Sequence, residues 1–331
     1  MKFTPTAAMG QVVLAGLVAL AGLQISHAQA QPDWPNKPIR FVVPYTPGGG
    51  TDTVTRHIAN NINQDNKWVF LIDNKPGGGG NIGLNLVAKA KPDGYTIGMG
   101  QTSNLAINPA ALPSMPFDPA KDLVPVALVA EVPMVLVVRP DSPYKSLADI
   151  VSAAKAKPGG LKQAVAGLGT VGHLAGEMLA RNAGIKILTV PYKGAAPAVT
   201  ELLGGLTDFM FVTPQTVMGM IQSDKLRILA VTSLKRSPVL PNVPTVSESG
   251  FKDFEAVDWK VIVAPAGTPP DVVKRLNAAI EKALASAKMQ TQLAAESSTG
   301  LGGSPEKAAQ FITAQQAEWG ALVREAGIRF E

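Results

Sequence analysis

The hydrophobic pattern changes period repeatedly along the chain, and each change marks an element. Residues 38–44 hold a short apolar run that predicts a strand, and then Val54, Ile58 and Ile62 recur every four residues, the period of a helix. Residues 67–72 predict a second strand, residues 83–90 a second helix closed by Pro92-Asp93-Gly94, and residues 95–100 a third strand. Strand, loop and helix repeat at roughly 30 residues per unit, which is the signature of a parallel sheet. Two apolar runs, 123–129 and 134–138, follow without a helical pattern between them and suit strands that pass from one domain to another. A second series then predicts helices over 147–156, 172–183 and 196–203, with strands over 163–166, 187–190, 208–212 and 226–232. Residues 259–264 predict one more strand. Two helices close the chain, opened by Thr268-Pro269-Pro270-Asp271 and Ser304-Pro305-Glu306: a hydroxyl cap, Pro in the first turn, then an acid. Val272, Leu276, Ile280 and Leu284 stripe the first; Phe311, Trp319, Leu322 and Val323 stripe the second.

The N-terminal segment stands apart. Lys2 is the only charge before Asp33; an apolar run over residues 12–23 follows, and Ala28-Gln29-Ala30 supplies small residues for cleavage. This order reads as a secretory signal peptide over residues 1–30, cleaved after Ala30. The apolar run is too short for the roughly 20 residues that span a bilayer.

Composition narrows the chemistry. Apolar residues at 46% and charged residues at 17% of 331 exclude a disordered chain. The length suits two domains. Cysteine is absent and only three His residues occur, which argues against thiol catalysis, disulfides and Cys- or His-built metal sites. No metal or cofactor is expected. The net charge of +5 comes without a dense basic block, so nucleic acid is not an expected partner. A soluble, exported protein of this kind suits the periplasm.

Three glycine loops carry the candidate chemistry. Thr46-Pro47-Gly48-Gly49-Gly50-Thr51-Asp52 and Lys75-Pro76-Gly77-Gly78-Gly79-Gly80-Asn81 are near copies, each joining a strand to a helix, and Gly167-Leu168-Gly169-Thr170-Val171-Gly172 is placed alike in the second half. Glycine lets backbone approach a ligand, and the first N–H groups of a helix are unpaired and lie at its positive pole. Such loops suit a carboxylate or phosphate without help from Arg or Lys. The third loop matches G-x-G-x-x-G, but no acid stands at the end of the next strand (Thr189-Val190-Pro191-Tyr192-Lys193) to hold a ribose. No G-K-[ST] follows the other two. Asp52 suits a helix cap first and a ligand contact second. His173 with Glu177 four residues on suits a structural or pocket-lining pair. Tyr192 and Lys193 offer a phenol and an ammonium at another helix start. No nucleophile elbow is present, and Ser103 lacks a base.

Taken together, these loops resemble those of the Bug-type substrate-binding receptors of tripartite tricarboxylate transporters. Further matches are Gly169-Thr170-Val171-Gly172-His173-Leu174-Ala175, Val190-Pro191-Tyr192-Lys193-Gly194, Leu240-Pro241-Asn242-Val243-Pro244-Thr245 and Ala264-Pro265-Ala266-Gly267-Thr268-Pro269. Departures from the family's pattern fall at Thr46, Gly50, Gly78 and Val261. The resemblance implies an α/β, two-lobed Venus-flytrap fold of the periplasmic-binding-protein type. Each lobe would be a sheet flanked by helices, with the ligand in the cleft between them. Residues 31–137 plus 255–331 would form one lobe and 138–254 the other. It implies a ligand carboxylate held by backbone N–H groups. Tyr45, Thr46, Gly48, Gly49, Thr51 and Asp52 would form one wall, with Gly79, Gly80 and Asn81 over it. Thr102 and Ser103 would add hydroxyl donors, and Gly169, Thr170, His173, Tyr192 and Lys193 would face them. The expected function is capture of a small carboxylate for a membrane permease, by a monomer without catalytic activity. Two rival readings are a ligand-sensing subunit for a membrane kinase and, more remotely, a secreted α/β hydrolase.

Overall fold

A computed structural model describes residues 34–325 and 327–329, together with Met1. Residues 2–30 of the expected signal peptide, with its cleavage site, lie outside the described residues. Contacts divide the chain into residues 1–36 and 37–331, and all strands and helices belong to the second unit.

The chain opens with β1 (Ile39–Val43), α1 (Gly50–Asn66), β2 (Phe70–Asn74), α2 (Asn81–Ala88) and β3 (Thr96–Gln101). A π-helical turn (Ser103–Ile107) leads into the short α3 (Asn108–Ala111), then β4 (Leu123–Pro133) and β5 (Val135–Val138). There follow α4 (Leu147–Ala156), β6 (Lys162–Val165), α5 (Val171–Ala183), β7 (Leu188–Pro191), α6 (Ala195–Leu203), β8 (Phe209–Val212), α7 (Pro214–Gln222) and β9 (Arg227–Val231). The last part is β10 (Val257–Pro265), α8 (Pro270–Ala285), α9 (Ala287–Ala295), β11 (Thr299–Gly300) and α10 (Pro305–Glu325).

These strands make two sheets, ordered β11-β4-β10-β3-β1-β2 and β7-β6-β8-β5-β9. In the first, β1 pairs parallel with β2 and β3, while β10 lies antiparallel between β3 and β4. In the second, β6 pairs parallel with β7 and β8, and β5 runs antiparallel between β8 and β9. The chain therefore crosses at Pro133–Val135, where the two apolar runs suggested a crossing, and returns between β9 and β10. Thr232 ties the two crossings together: its hydroxyl accepts the Met134 amide at 2.8 Å and donates to the Ala256 carbonyl at 2.5 Å.

Periodicity explains the helices. Val54, Ile58 and Ile62 of α1 are buried, as are Val272, Leu276, Ile280 and Leu284 of α8. On α10, Trp319 and Val323 are buried, and Phe311 and Leu322 pack partly buried against the same core. Phe311 meets Trp259 edge-on, ring centres 5.4 Å apart. Burying one such side chain is worth about 1.5–3 kcal/mol against about 1 kcal/mol for a typical helix cap, and each stripe buries several, so the stripes set the packing. The pattern gives no helix at 214–222 or 287–295, yet α7 and α9 are there. Thr213-Pro214 carries the hydroxyl-then-Pro signal that also opens α8.

Candidate functional site

The loops that follow β1, β3, β6 and β8 come from the carboxyl ends of parallel strands and converge between the two sheets. They line two cavities that share Tyr45 and Ala166. The smaller, about 50 Å³, is walled by Gly49, Gly50 and Thr51 at the start of α1, Thr170, Val171 and Gly172 at the start of α5, Ala195 at the start of α6 and Thr213 before α7. Gln101, Met134, Met210, Phe211 and Asp258 complete much of the rest. The larger, about 490 Å³, is lined by residues 76–82, Asn108, Leu112, residues 166–168 and Pro191, Tyr192 and Lys193. Neither Lys nor Arg lines the smaller cavity. Its four helix starts each present a positive dipole end.

Of the residues singled out in the sequence, Tyr45, Gly49, Thr51 and Thr170 line the smaller cavity, and Tyr45, Gly79, Gly80, Asn81, Tyr192 and Lys193 the larger. The others sit behind or beside these walls. Asp52 is 3% exposed, at the third position of α1. Its carboxylate accepts the Gly48 amide at 3.0 Å, Arg56 Nε at 2.9 Å and Asn74 Nδ2 at 3.0 Å. Burial pushes its pKa up, but these hydrogen bonds and the Arg56 charge outweigh burial and hold it below the ordinary carboxylate value. Asp52 therefore clamps the glycine loop from inside the first turn; it is not the helix cap expected first, because Gly49 stands at the N-cap and no side chain caps it.

Thr102 and Ser103 are fully buried. Thr102 Oγ1 accepts the Trp259 amide at 2.8 Å, locking β10 to the end of β3. Ser103 Oγ lies 2.7 Å from the Tyr45 hydroxyl, which donates to the Gly79 carbonyl at 2.8 Å; the proton between Ser103 and Tyr45 must then come from Ser103. Burial drives the Tyr45 pKa strongly upward, the Ser103 hydrogen bond opposes this and Asp258 adds to it, so the phenol stays neutral. His173, also buried, accepts the Gly169 amide at Nδ1 (3.2 Å), which leaves Nε2 facing Glu177 at 3.4 Å. It buttresses the third glycine loop. Thr170 caps α5 by accepting the His173 amide and donates to the Gly167 carbonyl at 2.8 Å.

Several glycines serve the meeting of the two sheets' loops. A Cβ on Gly79 would lie 2.5 Å from the Leu168 carbonyl oxygen across the cleft, and Gly79 has φ +60°. A Cβ on Gly194 would collide with Thr46 Oγ1, and one on Gly50 with Thr213 Oγ1. Gly50 N also donates to Thr216 Oγ1 at 3.1 Å, and Gln215 Nε2 to Ser298 Oγ at 2.5 Å. Thr46 thus faces Gly194 across the cleft and Gly48 is exposed on the loop; neither lines either cavity.

Sequence reading missed Gln101, Thr213 and Asp258. Gln101 accepts the Thr51 hydroxyl at 2.7 Å. It ends β3, and the end of a parallel strand is the place a ligand group is expected. Among the described residues no cluster of three His, Asp or Glu could hold a metal, and no helix is long and apolar enough to cross a membrane.

Two sheets flanked by helices, with a cleft at their strand ends, define a solute-binding receptor of the periplasmic-binding-protein type. The profile described as "Tripartite tricarboxylate transporter family receptor" matches residues 54–328, and the chain belongs to this family. It is 39% identical over 314 residues to the "UPF0065 protein in tcbD-tcbE intergenic region" of a Pseudomonas species, covering 95% of this chain and 93% of that protein. "Structure of periplasmic binding protein BugD" superposes with a TM-score of 0.86 at 35% identity, covering 90% of this chain and all of that one. "R. palustris Rpa4515 with adipate" superposes with a TM-score of 0.87 at 36% identity, covering 90% and 99%. The chain is thus a Bug-type periplasmic solute-binding receptor.

Proposed function

We propose that this receptor captures a small carboxylate in the cleft through backbone N–H groups and delivers it to a tripartite tricarboxylate-type permease. The observation that carries the reading is the convergence of the starts of α1, α5, α6 and α7 on a cavity without Lys or Arg. Four positive helix poles facing one cavity suit an anion. The adipate named for the R. palustris relative is a dicarboxylate, which supports the same ligand class here. The ligand would touch Tyr45, Gly49, Thr51 and Thr170 on the inner side and Gly79, Gly80, Asn81, Tyr192 and Lys193 at the mouth. Asp52, Ser103 and His173 would hold the walls in shape. The lobes would be 31–137 plus 255–331 and 138–254, which the crossings beside Thr232 support. Export with cleavage after Ala30 would place the receptor in the periplasm, as a monomer without catalysis.

A thermal-shift screen against carboxylates, phosphates and sugars tests this. A ligand that binds only the folded state raises stability by about 2.7 kcal/mol at a hundredfold excess over its Kd. One carboxylate class should raise the melting temperature. A rise only with phosphates or sugars, or none after denaturing, washing and refolding, overturns the reading.

A further inference from the structure

We propose that the ligand of this receptor is a hydroxycarboxylate, and that Asp258 recognises its hydroxyl. The inference rests on the carboxylate reading above and deepens it. On β10, Asp258 and Lys260 alternate with Trp259 and therefore share one face of the strand. Their side chains are 3% and 2% exposed, and Lys260 Nζ donates to Asp258 Oδ2 at 2.8 Å. The other oxygen, Asp258 Oδ1, is buried and has no hydrogen-bond partner in the protein. Asp258 also lines the smaller cavity, beside Tyr45, Gln101 and Thr51.

An ionised carboxylate accepts hydrogen bonds at both oxygens, and leaving one buried and unmatched is costly. The acceptor is therefore offered to whatever enters the cavity. A second carboxylate placed there would face Asp258 unpaired, so an unsubstituted dicarboxylate cannot put an anionic end against it. The ligand must present a donor. An ammonium is disfavoured, because the charge of Asp258 is already balanced by Lys260 and the cavity faces four positive helix ends. A neutral hydroxyl meets both conditions: it donates to Oδ1 while the carboxylate lies on the helix starts. The neighbouring hydroxyls cannot take this part, since Thr51 donates to Gln101 and Tyr45 to Gly79.

Titration calorimetry on dialysed protein with matched ligands tests the assignment. The probes are malate, succinate and aspartate; lactate, propionate and alanine; and citrate against tricarballylate. The hydroxylated member of the set that binds should be favoured by about tenfold or more, as expected for a hydrogen bond to a charged acceptor. The double variant Asp258→Ala/Lys260→Met removes the pair together without adding bulk to the cavity, and it leaves neither charge buried alone. In it the preference should fall below about threefold, with the deoxy ligand still bound. Should that variant fail to fold, Asp258→Asn is measured instead, with the same expected loss of preference. Equal binding of hydroxylated and deoxy ligands by the native protein, stronger binding of the amino analogue, or a preference untouched by the variants overturns the assignment and leaves the carboxylate reading standing. Binding of no carboxylate at all, with the native fold retained, overturns both.

Discussion

The Tyr45 hydroxyl donates to the carbonyl oxygen of Gly79 at 2.8 Å, fastening the loop after β1 to the loop after β2. Tyr45 borders both cavities, so one hydrogen bond fixes the wall they share. Replacing Tyr45 by Phe keeps the ring and removes the donor. It leaves the Ser103 hydroxyl without its acceptor, and a buried orphan of this kind costs about 1–3 kcal/mol. The melting temperature of Tyr45→Phe should fall accordingly, and ligand affinity with it. An unchanged melting temperature would show the fastening to be idle.

Asp52 should make stability depend on acid pH. Its folded pKa lies below the ordinary value of about 4, so its contribution is complete above that value and is lost as pH falls through the lowered one. Asp52→Asn should lower the melting temperature near neutrality. The gap to the native protein should close as pH falls from about 5 towards 2. A gap independent of pH would mean that the Asp52 charge contributes nothing.

Gly50 tests loop closure. It opens α1 with ordinary helical backbone, so Ala costs nothing locally and gains helix propensity of up to about 1 kcal/mol. Its Cβ would nonetheless strike Thr213 Oγ1 across the cleft. Gly50→Ala should weaken ligand binding about tenfold, because the contact with Thr213 must open to admit the methyl group. Adding Thr213→Ala should restore part of the affinity. Native affinity in Gly50→Ala would mean that the cleft closes less tightly on its ligand.

Thr232 joins the two crossings through Met134 and Ala256, and its hydroxyl is wholly buried. Thr232→Val is nearly the same shape but cannot accept the Met134 amide. It should cost about 1–3 kcal/mol. Amide exchange at Met134 should speed up more than in the sheet centres, measured by hydrogen–deuterium exchange. Uniform acceleration would argue against a local role.

Much of this was legible in order along the chain. The period-four stripes and short apolar runs gave most helices and strands within a few residues. The three glycine loops pointed to the end of the molecule where the cavities lie. Local rules sufficed there, because strand, turn and helix preference act between residues close in sequence. Thr102 and Ser103 show where local rules stop. As hydroxyls after a strand they suited a ligand, yet both are turned inward, because β10 arrives beside β3 and brings the Trp259 amide to Thr102. Asp258 shows the reverse. Nothing local in the sequence singles it out, because its burial comes from β10 lying between β3 and β4.

The sequence by itself determined an exported-looking α/β chain, its repeating strand–loop–helix units, and loops fit to hold an anion by backbone. Only the tertiary structure decided which glycines face the cleft and which allow the two sheets' loops to touch. It also decided that Asp52 clamps a loop and that a buried carboxylate stands in the cavity wall. The physical reason is that burial and partnership belong to pairs of surfaces. Those surfaces come from the outer segments of the chain and from its middle, and they meet only because the chain passes to the second sheet before β5 and returns to the first before β10.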